Sequence, residues 1–514
     1  MKFKSHASKK GSIIFIRLIL VVFLTQHVSA QDEKGKKYEP TWESLKQHST
    51  PQWLRDAKFG IYTHWGVYCY SATRGNATWN INHAYMNPES EDAKDFNEKH
   101  GKLSTEFGYK DLIPKFTAEN FDAEEWADLF AKSGARFAGP VAEHHDGFAM
   151  WDTKYSEWNS VKMGPKRDVV GELEKAIKAK DMKFVTAFHH AAKWFFFPTW
   201  DNTKDCSNPD YSGLYGPIHQ KGAASPNKEF LDEWYRKLIE VVDKYDPDYV
   251  WFDFALDIIR EDYVKNFMAY YYNNADEKGK EVVVSYKDHD LPPGVALLDH
   301  ELGQEPKLTH YDWITDTSID DQGAWGYIEG LKYKSVDRLV DNLVDRISKN
   351  GFLLMNVGPK WDGTIPEGAK KGLLGIGKWL DVNGEAIYGT SSWVKYGEGP
   401  TAVEKGKVVA SFNESDAIYT NKDIRFTVKG NTIYATVLAW PDEELIIRSF
   451  VRTDRNGSFL YSINPDEIKS ISMLGDGNEL DWEIVDGKGL KIKTPNTKPC
   501  EHAYVFKIVR EYKN

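Results

Sequence analysis

From residue 42 to residue 388, short apolar runs alternate with segments of helical periodicity. The runs are 59–63, 137–142, 184–188, 249–254, 281–286, 295–298 and 352–357. Most are continuous rather than alternating, as expected of strands buried on both faces. Between several of them apolar residues recur at three- and four-residue spacing, over 123–133, 169–179, 228–245 and 335–348. Strand followed by helix, repeated over about 330 residues, predicts a parallel (β/α)8 TIM-like barrel. Residues 313–317 offer an eighth strand. Apart from the run at 295, residues 287–322 show little helical pattern, so the barrel is expected to be irregular.

After residue 388 the helical patterns stop. Strand-like runs follow at 423–428, 432–438, 445–451, 470–474 and 503–508. Turn signals such as Lys429-Gly430-Asn431 and Gly475-Asp476-Gly477 separate them. This predicts a C-terminal antiparallel β-sandwich of about 120 residues. At the other end, Lys2, Lys4, Lys9 and Lys10 precede an apolar stretch over 18–25 and the small residues Val28-Ser29-Ala30. That order is the mark of a secretory signal peptide cut after Ala30. The expected organisation is therefore a signal peptide over 1–30, a catalytic barrel over 31–390 and a sandwich over 391–514. The expected location is secreted or periplasmic, with no membrane span after cleavage.

Composition narrows the function. The net charge of −11 argues against nucleic acid as the main partner, because phosphate binding needs a basic face. Three cysteines, Cys69, Cys206 and Cys500, allow at most one disulfide and no multi-cysteine zinc module. Their spacing does not choose a pair, and nothing in the sequence sets the oligomeric state.

The candidate chemistry lies where barrel strands end, the face on which barrel active sites are built. The six ends carry His64-Trp65, His144-His145-Asp146, His189-His190, Trp251-Phe252-Asp253, Lys287 and Asp299-His300-Glu301. Two chemistries can use such a set. A metal-dependent hydrolase would take His64, His144, His145, His189 and an aspartate as ligands. The His-x-His pair usual on the first strand of such barrels is missing, since Tyr62 stands two residues before His64. The other chemistry is glycoside hydrolysis by two carboxylates, with His and Trp holding the sugar. Asp253 inside an apolar run is a costly placement unless the acid is paired or used.

The residues resemble a known family. The segments 57–66, 144–151, 164–171, 251–253, 323–327, 348–359 and 383–390 are similar, in order and spacing, to the α-L-fucosidases of glycoside hydrolase family 29 in their secreted bacterial form. The resemblance implies a retaining exo-glycosidase that removes terminal α-L-fucose from oligosaccharides or glycoconjugates, without cofactor or metal. It places the nucleophile on Asp253. It places sugar-binding residues on His64, His144, His145 and Trp251, with Trp65 and Trp79 as further aromatic contacts. Lys287 falls nearest to a basic sugar contact that is usually Arg. The chain also departs from the family. Thr78-Trp79-Asn80 replaces a Glu-Trp-Tyr stretch, Glu143 replaces a Lys before the His pair, and Ala187 stands for a Tyr after the third strand.

The acid/base position varies in the family. Glu301 is the preferred candidate, twelve residues before Trp313. Asp299 is the rival, since both side chains share a face in an extended strand. Glu305 reads as a solvated surface acid. A related exo-glycosidase acting on a fucose-like sugar such as galactose, a metal-dependent hydrolase and a non-catalytic carbohydrate-binding barrel are the alternatives.

Overall fold

Eight parallel strands close into a barrel in chain order. They are β1 (Phe59–Thr63), β2 (Phe137–Glu143), β3 (Lys183–Phe188), β4 (Tyr249–Phe252), β5 (Val283–Tyr286), β6 (Leu297–Asp299), β7 (Trp313–Ser318) and β8 (Gly351–Val357). The pairing of β1 with β8, Phe59 opposite Leu353 and Thr63 opposite Val357, completes the closure. The computed structural model describes residues 37–512 apart from 224, 288, 402–413, 415–417, 454–458 and 462. The expected signal segment lies outside the described residues. Among the described residues no helix is long and apolar enough to cross a membrane.

Each barrel strand sends alternate side chains inward and outward, as a period of two requires. Tyr62, Val185, Tyr249, Trp251, Val283, Leu297, Ile314, Phe352 and Leu354 fill the barrel interior. Their neighbours Ile61, Phe184, Val250, Val284 and Leu353 face the surrounding helices. Gly60 faces Phe137, whose ring lies 2.1 Å from where a Cβ would sit, so no side chain fits there.

The helices longer than two turns are α1 (Ala77–Met86), α2 (Glu91–His100), α3 (Ala123–Lys132), α4 (Val169–Lys178), α5 (Lys228–Tyr245), α6 (Glu261–Glu277), α7 (Val336–Ser348) and α8 (Glu367–Asn383). Side-chain caps start most of them: Asp122 accepts from the Glu124 and Glu125 amides, and Asn227 accepts from Phe230. α1, α2, α6 and α8 carry no strong amphipathic stripe and are legible only in the fold. Between β5 and β7 the described chain forms no helix. The irregularity expected for 287–322 is therefore located at β5 to β7.

The C-terminal strands are β9 (Ser391–Glu398), β10 (Ile424–Lys429), β11 (Thr432–Val437), β12 (Glu444–Ile447), β13 (Val451–Thr453), β14 (Phe459–Tyr461), β15 (Ile468–Met473), β16 (Trp482–Val485), β17 (Gly489–Lys493) and β18 (Tyr504–Arg510). They form a five-stranded sheet in the order β15-β18-β11-β10-β9, a three-stranded sheet β12-β17-β16 and the pair β13-β14. Phe426, Ile433, Ile471 and Phe506 of the larger sheet share one core with Leu445, Leu490 and Ile492 of the smaller. That is the antiparallel sandwich expected. The run expected over 445–451 is broken by a tight helical turn at Arg448–Phe450. Arg425 of β10 reaches Asp345 of α7 at 2.6 Å, so a buried ion pair joins sandwich to barrel. Cys69, Cys206 and Cys500 are all free thiols.

Candidate active site

In six of the eight strands the inward series runs on into the mouth of the barrel. Tyr62 leads to His64, Ala187 to His189, Trp251 to Asp253, Ser285 to Lys287, Asp299 to Glu301 and Ile314 to Asp316. All six of these following residues line one small cavity, together with His144, His145, Trp79 and Trp325. One strand breaks the rule. The β2–β3 register shifts between Val141 and Glu143. This bulge turns Glu143 outward, where its carboxylate meets Lys237 of α5 at 2.9 Å with both side chains fully buried. His144 is thereby delivered to the cavity in its place. The Glu that replaces the family's Lys is half of a structural ion pair.

Asp253 sits at the centre of the site. His189 Nδ1 donates to its Oδ2 at 2.8 Å, and His145 Nε2 lies 3.3 Å from the same oxygen. Lys287 Nζ lies 3.0 Å from Oδ1. Burial pushes the Asp253 carboxyl up, but the charge of Lys287 and the two histidines outweigh it and hold the group well below the usual range. A buried carboxylate kept ionised has the charge state that a nucleophile needs.

Lys287 also contacts Glu301 Oε2 at 2.9 Å and Asp316 Oδ2 at 3.2 Å. Its stem lies against Trp251, with Nζ 4.6 Å from the ring centre. Burial works against its charge, yet Asp253, Asp316 and Glu301 together raise its pKa well above the ordinary value. Glu301 moves the other way from Asp253. Burial raises it to about 7, and Asp316 and Asp253 add to the rise against the pull of Lys287. The two carboxyls of one cavity are thus pushed apart, the arrangement in which an acid and a base can work side by side.

Asp299 is not beside them. It is buried one layer deeper, where Trp251 Nε1 and the Asp316 amide, the latter at 2.9 Å, donate to it. Burial and then Asp316 push its pKa well above the carboxylate range. Glu305, expected to be solvated, is half-buried and accepts from Tyr311 Oη at 2.6 Å, with His300 Nε2 at 3.0 Å.

The histidines are fixed by partners outside the cavity. His64 Nδ1 donates to Asn356 Oδ1 at 2.8 Å. Asn356 is oriented in turn by donating to the Trp325 carbonyl and Ser318 Oγ. His145 Nδ1 donates to the His189 carbonyl at 2.8 Å. Burial drives His64 and His144 well below the usual histidine range and His189 down to about 4, so these rings are neutral at physiological pH. Among the described residues His144 Nδ1 and His189 Nε2 are buried without a protein hydrogen-bond partner. Neutral imidazoles of this kind donate to or accept from sugar hydroxyls. Two sets, His64-His144-His189 and His145-His189-Asp253, also bring donor atoms within 4.8 Å of one another, as close as a bound metal ion would need.

Two expected aromatic contacts lie elsewhere. Trp65 follows the inward His64 and so points outward. It packs among Phe116, Phe121 and Trp126, with Nε1 donating to the Lys360 carbonyl at 2.7 Å. Trp251 is inward but one layer below Asp253. It supports Tyr62, His189 and Lys287 from beneath and does not line the cavity. Trp79 of α1 does form the apolar wall, with Phe254 beside it. Asp316 is missing from every expected set, and His189, expected only at a strand end and as a ligand in the metal alternative, is missing from the sugar-binding one. The period-two continuations from Ala187 and Ile314 are the signal that finds them.

Known proteins share this arrangement of domains. The sequence model of a family described as Alpha-L-fucosidase matches residues 24–385, and that of the Alpha-L-fucosidase C-terminal domain matches residues 417–509. The tissue alpha-L-fucosidase of Rattus norvegicus is 29% identical over 503 residues, covering 96% of each chain. The plasma alpha-L-fucosidase of Homo sapiens is 30% identical over 492 residues, 92% of each. The crystal structure of Thermotoga maritima alpha-fucosidase superposes with a TM-score of 0.72 at 32% identity, covering 92% of this chain and all of that one.

Proposed function

We propose that this chain, which belongs to the α-L-fucosidase family of glycoside hydrolases, removes terminal α-L-fucose from oligosaccharides or glycoconjugates by double displacement at Asp253. The observation that carries this reading is the lysine shared by two acids. Lys287 Nζ is 3.0 Å from Asp253 and 2.9 Å from Glu301. Those oxygens are therefore at most about 6 Å apart, which suits a retaining pair at roughly 5–5.5 Å better than an inverting pair at roughly 6.5–9.5 Å.

In the first step an Asp253 oxygen attacks the anomeric carbon. The bond to the leaving oxygen breaks with its electron pair, and Glu301 gives that oxygen its proton. The product is a fucosyl ester of Asp253. In the second step Glu301 takes a proton from water, whose oxygen displaces Asp253 from the same carbon. The electrostatics suit this change of role. The Asp253 charge helps to raise Glu301 in the free enzyme. Once Asp253 is esterified that charge is gone, so the Glu301 pKa falls and the group ionises more readily, as a general base requires. His64, His144, His145 and His189 take the ring hydroxyls, and Trp79 takes the apolar face and the C5 methyl.

In this reading residues 31–390 carry the reaction, residues 391–514 form the sandwich, and cleavage after Ala30 sends the enzyme outside the cytoplasm. Proton NMR during hydrolysis of an aryl α-L-fucoside tests the stereochemistry. α-L-Fucose is expected as the first anomer released, and β-L-fucose first would overturn the double displacement.

A further inference from the structure

We infer that Glu414, contributed by the chain between β9 and β10, is a positioning residue for the acid/base. It acts through Leu302, the residue next to Glu301. The inference rests on the assignment of Glu301 above.

Leu302 is in the left-handed region with φ of +44°, which a non-glycine residue adopts only when its surroundings hold it there. Its peptide groups are held from two sides. The Leu302 amide donates to the Asp316 carbonyl at 2.9 Å, and the Leu302 carbonyl accepts from the Glu414 amide at 2.8 Å. The first bond ties the Glu301 loop to β7. The second ties it to the C-terminal part of the chain.

The Glu414 side chain anchors that second bond. It lies behind the barrel wall, on the outward face of β7. Its carboxylate accepts from Lys334 Nζ at 2.6 Å, Asn342 Nδ2 at 2.8 Å and Thr317 Oγ1 at 3.1 Å. Arg346 lies at 3.5 Å. Burial alone would raise its pKa, but Lys334 and Arg346 hold it below the usual glutamate range. Lys334 and Arg346 are themselves buried. Buried cations need an anion, and Glu414 supplies one. The acid is thus fixed at a site with no contact to the cavity, while its own backbone holds the neighbour of Glu301.

An acid/base placed about 1 Å out loses most of its effect, whereas the nucleophile is held by His145 and His189 as well as by the lysine that the two acids share. Loss of Glu414 should therefore reproduce the signature of a lost general acid. The test measures kcat/KM of wild type, Glu414→Ala, Glu414→Gln and Glu301→Ala on 2-chloro-4-nitrophenyl, 4-nitrophenyl and phenyl α-L-fucosides. For Glu414→Ala we expect a loss of about tenfold or more on the phenyl substrate and less than about threefold on the chloronitrophenyl substrate, since only the poor leaving group needs the proton. Glu414→Gln keeps the shape and part of the hydrogen bonding, and should show the same ordering with a smaller loss. An equal loss on all three substrates, or none, overturns the inference. If Glu414→Ala does not fold, the same two criteria are applied to Glu414→Gln. If Glu301→Ala itself shows no dependence on the leaving group, the acid/base assignment fails and this inference fails with it. If Glu301→Ala shows the dependence and the Glu414 variants do not, only the positioning role fails.

Discussion

The ammonium of Lys287 lies 2.9 Å from Glu301 and 3.0 Å from Asp253; it helps to keep Asp253 ionised, whereas burial raises Glu301 to about 7 against its pull. The proposed first step needs Glu301 protonated and Asp253 charged. Activity should therefore fall as pH rises through about 7, and the acid limb should lie well below the usual carboxylate range. Lys287→Met removes a cation that lowers both groups. Both limbs of the kcat/KM profile should move to higher pH, and a profile that keeps its limbs would remove Lys287 from this role.

Asp253→Gly should abolish turnover of aryl α-L-fucosides, because no other described carboxyl takes its place on the inward face of β4. Azide fits the space left by the side chain. With an activated substrate it should restore turnover and yield β-L-fucosyl azide, identified by NMR. Near-normal activity without azide would mean that the nucleophile is another group.

Glu301 and Asp299 are separated by the same kinetics. Glu301→Ala should spare a substrate with a good leaving group at the first step and slow fucosyl oligosaccharides by about 10²–10⁴-fold. Asp299→Asn disturbs the support of Trp251 and Asp316, and should reduce all substrates alike. The reverse pattern would transfer the acid/base role to Asp299.

His189→Ala removes a hydrogen bond to Asp253 and, in the proposed scheme, a sugar contact. It should lower kcat/KM by about 10²-fold and move the acid limb upward, because Asp253 loses one of the groups that depress it. His64→Ala and His144→Ala touch only the sugar in this scheme. They should weaken binding and turnover with the acid limb unmoved, and stoichiometric zinc lost together with activity on chelation would instead make these rings metal ligands.

The Glu143–Lys237 pair is buried on both sides. Lys237→Met leaves an unpaired acid and should cost about 3–5 kcal/mol of stability by chemical denaturation. The double change Glu143→Leu with Lys237→Met should recover most of that loss. A single variant as stable as wild type would show that the bulge needs no such partner.

Much of the catalytic face was legible in the chain because a strand's period of two is local. Once 249 and 251 are inward, 253 must be inward too, and the same count reaches His64, Lys287 and Glu301. The barrel order and the change to antiparallel strands after residue 388 follow from equally local patterns. Other features depend on partners distant in sequence. The bulge that turns Glu143 away and brings His144 in is set by Lys237, ninety-four residues later. The same count that points Trp65 outward leaves it to be covered by Phe116, Phe121 and Trp126, and only the packed helices decide that it is core rather than sugar contact. The depth that separates Glu301 from Asp299 is a matter of layers in a closed barrel, which no single strand contains. The shared lysine lowers both acids; their opposite shifts arise because two histidines join it at Asp253 while burial and two neighbouring carboxyls outweigh it at Glu301, and that balance belongs to the tertiary structure.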